Sequence, residues 1–164
     1  MRHALVTLFA LVLSSPATAQ VRTGLDVLLS DSVHVLSGKR VGLITNHTGR
    51  DALGRRNVDL LHQAAGVQLV ALYAPEHGFA GAIRGGDKIG FATDSATGLP
   101  IHSLYGTTRV PSAEMLKDVD VLLFDIQDIG ARTYTYVWTM ALAAEADGKL
   151  GKSLIVLDRP NPIR

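Results

Sequence analysis

The chain contains no cysteine, and this absence excludes several kinds of chemistry. No disulfide can crosslink the fold, no thiolate can bind a metal ion, and no cysteine can act as a nucleophile. No charge of one sign dominates either, because 16 Lys and Arg residues stand against 15 Asp and Glu residues. Aromatic residues are few, at 5%, and form no stripe with basic residues. We therefore expect no nucleic-acid partner.

The chain begins with an apolar run, Ala4 to Leu13, that follows a basic residue and precedes small residues. The run is too short to cross about 30 Å of hydrocarbon. We interpret residues 1–19 as a secretory signal peptide, with cleavage after Ala19. The mature protein, residues 20–164, is then expected to be periplasmic or secreted. No later segment has transmembrane length, so we expect no membrane contact after cleavage.

Short apolar runs recur along the mature chain, separated by segments of helical character. The runs are nearly continuous in apolar residues, which is typical of strands covered on both faces of a parallel sheet. Alternating strands and helices predict an α/β fold with a doubly wound sheet and right-handed crossovers. The predicted strands are 40–46, 67–76, 100–105, 119–128 and 153–158.

Helical spacing of apolar residues predicts helices over 57–65 and 133–146, the second with Trp138 and Leu142 on one face. Ser112 has the position of an N-cap for a further short helix. Residues 78–99 differ, because they contain six glycines and few large apolar residues. We interpret this long segment as a functional loop.

Polar residues stand where the apolar runs stop, as in the stretch LYAPEHG that ends the second run. Ligands of doubly wound sheets bind outside the carboxyl ends of the strands. Close carboxylates push each other's pKa apart, which separates a proton donor from an ionised acid, as acid–base chemistry requires. Structural roles stay open at this point, since each acid can instead satisfy a neighbour. The residues concerned are Asn46, Glu76, His77, Asp125, Gln127, Asp128 and Asp158.

Two other kinds of site lack support in the sequence. The corner after the first strand reads TNHTGRDALG, which matches neither a dinucleotide fingerprint nor a P-loop, and no G-x-S-x-G elbow occurs. A metal site from His47, His77, Asp125 and Asp128 has no supporting spacing. We therefore expect neither a cofactor nor a metal.

Four segments in order, LYAPEHGFAG, TGLPIHSLYG, VDVLLFDIQDIGARTYTYVWTM and LIVLDRPNP, resemble the exo-β-N-acetylmuramidase family, formerly a bacterial domain of unknown function. The resemblance covers nearly the whole mature chain. It implies a secreted or periplasmic glycoside hydrolase that removes terminal N-acetylmuramic acid from the non-reducing end of peptidoglycan fragments. It also implies a Rossmann-like catalytic domain, followed in the family by a smaller carboxyl-terminal domain that we expect in the full-length protein beyond these 164 residues.

The resemblance implies residue roles as well. Glu76 matches the glutamate favoured as the catalytic acid, and partial burial is expected to raise its pKa. Asp125 or Asp128 is expected to activate water or to steady the charge on the sugar, unless the substrate's 2-acetamido group acts as the internal nucleophile. Substrate contacts are expected from Asn46, His77, Arg84, Gln127, Arg132 and Tyr134.

Arg132 or Arg84 is the expected partner of the lactyl carboxylate of muramic acid. Two alternatives stay open. In one, the chain is a non-catalytic module that binds cell-wall sugar or a protein partner. In the other, it is a metal-dependent hydrolase.

Overall fold

The computed structural model describes residues 21–82, 84–85 and 90–163, and a six-stranded sheet forms its centre. The strands are β1 (Arg40–Thr45), β2 (Gln68–Ala74), β3 (Ala92–Thr93), β4 (Pro100–Ser103), β5 (Val121–Asp125) and β6 (Ser153–Val156). Their order across the sheet is β3-β4-β2-β1-β5-β6. Only the β3–β4 pair is antiparallel, so the carboxyl ends of the other strands share one edge.

Helical segments lie on both faces of the sheet. The α-helices are α1 (Gly24–Val27), α2 (Asn57–Gln63) and α3 (Tyr136–Lys149), and α1 continues through a π turn and a 3₁₀ turn to Leu36. Thr23 begins α1 with a capping box, in which its hydroxyl accepts from the Asp26 backbone N–H and the Asp26 carboxylate accepts from the Thr23 backbone N–H. The two faces build two separate apolar clusters.

Alternation along the strands explains the two clusters. Val41 and Leu43 of β1 pack on the face covered by α1 and α2, whereas Ile44 and Tyr73 pack on the face covered by α3. Successive side chains of a strand point to opposite faces, so a strand buried on both must be apolar throughout. This is why the sequence shows continuous rather than alternating apolar runs.

The structure confirms the predicted α/β fold with a doubly wound, mostly parallel sheet. All five predicted strands are present, each shorter by one to five residues at its ends. The predicted helix over 57–65 is α2. Polar residues that were included in the predicted strands, such as Asp128, instead lie beyond the sheet on its carboxyl edge.

Three details of the predicted helices were wrong. The helix predicted over 133–146 begins at Tyr136, so Tyr134 precedes it. Its buried face does not include Trp138, which is 66% exposed, because Thr139, Ala143 and Ala146 face the sheet instead. Ser112 caps a turn rather than a helix: its hydroxyl accepts from the Met115 backbone N–H at 3.2 Å.

Other parts of the fold had no clear signal in the sequence. Neither α1 nor its continuation was predicted, and β3 lies within the segment interpreted as a loop. The proposed signal peptide, residues 1–19, lies outside the described residues, as do residues 86–89 of the predicted loop. No helix in the described part of the chain is long and apolar enough to span a bilayer.

Large apolar side chains are exposed beside the edge strand β6. Val156 of β6 is 48% exposed, and Val137 and Trp138 of the neighbouring helix α3 are 50% and 66% exposed. Among the described residues, β6 pairs with a strand on one side only, and that strand is β5. This side of the sheet therefore presents apolar surface next to the carboxyl edge.

Candidate active site

The corner after β2 carries Glu76 at the carboxyl edge of the sheet. Glu76 is half-buried, and its carboxylate atom Oε2 accepts a hydrogen bond of 2.8 Å from the Thr135 hydroxyl. Thr135 has the N-cap position of α3, yet its side chain makes no cap hydrogen bond. The hydroxyl that would ordinarily cap the helix thus orients the carboxylate of Glu76.

The backbone turns sharply directly after Glu76. His77 has a φ of 69°, the one non-glycine residue with positive φ in the described part of the chain. Such a conformation costs a residue with a Cβ roughly 1–2 kcal/mol, so surrounding contacts must maintain it. The turn is closed by a hydrogen bond of 3.0 Å from the Gly78 backbone N–H to the Pro75 carbonyl. The contacts that maintain this turn also keep Glu76 at the carboxyl edge of the sheet.

The side chain of Tyr136 lies near three of the predicted site residues, which are Glu76, Asp128 and Asn46. Burial raises the pKa of Tyr136, and the charges of Glu76 and Asp128 raise it further, together with Tyr134. The Asn46 side chain opposes this shift. The carboxylates that follow β2 and β5 therefore lie near the same buried tyrosine, as the shared carboxyl edge of these strands predicts.

Asp128 and Asn46 each keep one buried polar atom without a hydrogen bond to a described residue. Asp128 Oδ1 accepts from the Gly130 backbone N–H at 2.6 Å, whereas Oδ2 has no partner. Asn46 Oδ1 accepts from the backbone N–H and the hydroxyl of Thr48, at 2.9 and 2.6 Å. Asn46 Nδ2 has no partner of normal geometry, although it faces Tyr136. Buried polar atoms of this kind are expected where a ligand binds.

Asp125 is the last residue of β5, at the carboxyl edge of the sheet, and it is fully buried. Its carboxylate accepts from Arg159 Nε at 2.6 Å, from Arg159 Nη2 at 3.0 Å and from Asn57 Nδ2 at 2.8 Å. The Asn57 amide also donates to the Thr45 hydroxyl at 2.8 Å. The counterion of Asp125 is thus Arg159, which lies 34 positions further along the chain. Asp125 therefore ties the ends of β1, β5 and β6 together.

The other predicted site residues are spread along the same edge. The Gln127 side chain donates to the backbone carbonyls of Asp128 and Pro160, at 2.8 and 3.0 Å. It therefore links the loop after β5 to the loop after β6. Tyr134 packs edge-on against Tyr136, with ring centroids 5.7 Å apart. Exposed side chains occupy the remaining positions, which are His77, Arg84 and Arg132.

Sequence reasoning assigned no role to several residues that build the site. Thr135 and Tyr136 belong to the T-Y-T-Y segment, but only the first tyrosine was selected as a substrate contact. Asn57 and Arg159 sit at the start of a helix and in a terminal loop, where polar residues are ordinary. The one feature of the sequence that predicts partners such as Asn57 and Arg159 is the acid Asp125 within an apolar run, because a buried carboxylate requires hydrogen-bond partners.

A hollow of about 420 Å³ opens on the other side of Asn46. The loop after β1, the start of α2, the segment after His77, the end of β3 with the turn that follows it, and the start of β4 enclose it. Polar and charged side chains share its wall with one aromatic ring. Its lining includes Asn46, His47, Arg50, Arg56, Phe79 and Asp94. Among the described residues, no three His, Asp or Glu side chains are grouped so that they could hold a metal ion.

The order of these motifs and the sheet that carries them agree with one known family. The family described as Exo-beta-N-acetylmuramidase NamZ, N-terminal, matches residues 41–164. The chain belongs to this family. The match includes every predicted site residue, from Asn46 to Tyr134.

Members of the NamZ amino-terminal family and solved structures support the assignment. Peptidoglycan beta-N-acetylmuramidase NamZ of Bacillus subtilis (strain 168) is 50% identical over 143 residues, which are 87% of this chain and 34% of that protein. A crystal structure of a DUF1343 family protein from Bacteroides fragilis NCTC 9343 superimposes with a TM-score of 0.79 at 55% identity, covering 86% of this chain and 35% of that one.

A second DUF1343 family structure from the same strain has a TM-score of 0.72 at 34% identity, covering 88% of this chain and 36% of its own. The present chain thus spans about a third of the length of these relatives. The NamZ amino-terminal fold is shared along almost the whole described chain.

Proposed function

We propose that the chain is the catalytic part of an exo-acting β-N-acetylmuramidase, a glycoside hydrolase that releases terminal N-acetylmuramic acid from the non-reducing end of peptidoglycan fragments. One observation carries the proposal: the half-buried carboxylate of Glu76, held by Thr135 at 2.8 Å, and the carboxylate of Asp128, whose Oδ2 atom has no hydrogen-bond partner among the described residues, follow parallel strands at the same carboxyl edge of the sheet. Glycoside hydrolysis generally uses two such acids, which flank the scissile bond.

In the proposed reaction Glu76 is the general acid. Its proton passes to the glycosidic oxygen as the bond from that oxygen to C1 of muramic acid breaks. Thr135 holds Oε2 of the carboxylate and fixes its direction. Proton transfer from a positioned side chain contributes roughly 10²–10⁴-fold to the rate.

Asp128 is the proposed second acid. Its Oδ2 atom has no partner among the described residues and can accept a proton from water or from the substrate's acetamido N–H. In the first case water attacks C1, and in the second the acetamido oxygen attacks C1 before water does. Asp125 is assigned the positioning role of a buried anchor, because Arg159 and Asn57 occupy its carboxylate.

The protein is proposed to be exported, and its cleft is proposed to be completed by a carboxyl-terminal domain. The signal-like residues 1–19 support export to the periplasm or the medium, where peptidoglycan fragments occur. The exposed apolar side chains of Val137, Trp138 and Val156 support a docking side for the carboxyl-terminal domain that the family resemblance implies.

A pair of substrates tests the catalytic role of Glu76. A 4-nitrophenyl β-N-acetylmuramide has a leaving group that needs little protonation, whereas a muramyl disaccharide needs full protonation. We expect Glu76→Gln to slow the disaccharide by at least about 10²-fold and the nitrophenyl substrate much less. Glu114→Gln is the matched control, because Glu114 is an exposed residue paired with Lys117.

Equal losses on both substrates would contradict the acid role. Binding of muramyl sugar by the wild-type protein without any turnover would instead favour the non-catalytic module. Loss of activity on treatment with a chelator would favour a metal-dependent hydrolase.

A further inference from the structure

Two arginines and one acid are the charged groups in the wall of the hollow beyond Asn46. Arg50 and Arg56 both line it, and Asp94 is the one acid among the described residues of its wall. An isolated antiparallel bridge pairs the backbones of Arg50 and Arg56, so the two side chains leave from one short loop. Asp51 stiffens that loop by accepting from the backbone N–H groups of Leu53 and Arg55.

Asp94 is committed to Arg56. Both of its carboxylate oxygens accept from Arg56 Nη2 at 3.0 Å, and Oδ2 also accepts from the backbone N–H and the hydroxyl of Thr97. Arg56 also lies over the ring of Phe79, with its guanidinium carbon 5.6 Å from the ring centroid. Arg56 also pairs with Asp59 at 3.3 Å, so two carboxylates compensate its charge and Arg56 supplies no free positive charge to the hollow.

Arg50 has no such counter-charge among the described residues. Its Nε donates to the His47 carbonyl at 3.1 Å and its Nη1 to the Gly54 carbonyl at 2.7 Å. Both acceptors are neutral, so the guanidinium is fixed in place while its charge stays uncompensated. A fixed guanidinium binds a carboxylate with little further loss of side-chain freedom.

We propose that this hollow is a subsite for the carboxylate-bearing part of the ligand, with Arg50 as the residue that recognises the charge. Given the proposed function, on which this assignment rests, that group is the lactyl carboxylate of N-acetylmuramic acid. Asn46 lines the hollow and also faces Tyr136, so its Nδ2 atom can contact the same sugar. Arg50 then takes the role that the sequence suggested for Arg132 or Arg84.

Two substitutions of Arg50 distinguish the effect of its charge on ligand binding from the effect of its hydrogen bonds on the structure of the loop. Arg50→Gln and Arg50→Lys both remove the arginine fork from the loop, but only Arg50→Lys keeps the positive charge. Calorimetry would measure the binding of N-acetylmuramic acid and of its lactyl methyl ester to the intact protein. Circular dichroism would confirm that both variants are folded, and Arg132→Gln would serve as the comparison at the other candidate arginine.

We expect Arg50→Gln to weaken the free acid by about tenfold or more relative to the ester, because a charge-assisted hydrogen bond is lost. Arg50→Lys should retain most of the preference for the acid. Equal weakening of both ligands by Arg50→Gln would overturn the assignment. So would equal losses in the Gln and Lys variants, or a loss of preference in Arg132→Gln alone.

The same measurements distinguish this inference from the proposed function. A charge preference that depends on Arg50, in a protein that hydrolyses no muramide, would support the subsite and refute the hydrolase. Turnover that depends on Glu76, with no charge preference at Arg50, would refute the subsite and leave the hydrolase standing.

Discussion

The carboxylate of Asp147 should contribute a destabilisation of the folded protein at neutral pH that is absent in mild acid. Asp147 lies near the carboxyl end of α3, is 1% exposed, and neither of its carboxylate oxygens has a hydrogen-bond partner among the described residues. Burial raises the pKa of Asp147 from 3.8 to about 6, against the opposing charge of Lys152. Ionising this group inside the folded protein is therefore costly.

The sign and size of the effect follow from linkage. The folded-state pKa exceeds the unfolded value, so the folded state binds the proton more tightly and loses stability as the pH rises from about 4 through 6. A difference of about two pKa units corresponds to roughly 3 kcal/mol above pH 7. Asp147→Asn should recover this amount at pH 7.5, or roughly 6–12 °C in Tm, and should change little at pH 4.

Urea unfolding followed by circular dichroism at several pH values would measure the difference between wild type and variant. Asp120→Asn is a control of opposite sign, because the hydrogen bond from Arg40 lowers the pKa of Asp120 to about 2. That group stabilises the folded protein above its unfolded pKa and loses this effect as the pH falls. A stability difference for Asp147→Asn that does not vary with pH, or a less stable variant at pH 7.5, would refute the reasoning.

Three further outcomes are expected. Thr135→Val should lower turnover of a muramyl disaccharide by about tenfold through loss of the hydrogen bond to Glu76, and Thr135→Ser should restore it; no difference between the two would exclude a positioning role. Arg159→Gln should cost roughly 3–5 kcal/mol of unfolding free energy in urea, because buried Asp125 loses its counterion, and a change below 1 kcal/mol would contradict this. Mass spectrometry of exported protein should find Gln20 at the amino terminus, and retention of residues 1–19 would disprove signal cleavage.

The sheet could be predicted because its strands are buried on both faces. Within the run 119–128, residues 121–124 are apolar without a break, and no exposed helix requires that pattern. Helix boundaries were harder, because residues before α3 carry site groups rather than capping groups. Thr135 donates to Glu76 instead of capping α3, so the ordinary start signal is absent.

The site was only partly visible in the sequence for a related reason. Parallel strands bring their ends together whatever the connections, so Glu76 and Asp128 could be expected at one edge. The partners of Asp125 come from distant positions, and no local spacing relates it to Asn57 or Arg159. Likewise, Arg50 resembles any surface arginine until its loop folds against the hollow.

The pairing of Asp125 with Arg159 also bears on when the carboxyl edge of the sheet is assembled as the chain emerges, amino terminus first, into the compartment where it folds. The two residues are 34 positions apart, so the acid emerges well before its cation. Until Arg159 emerges, desolvating that acid is strongly unfavourable, which should keep the β1–β5 edge open and hydrated in the nascent polypeptide. When β6 pairs with β5, Arg159 reaches Asp125, and this step completes the buried ion pair below Glu76 and Asp128.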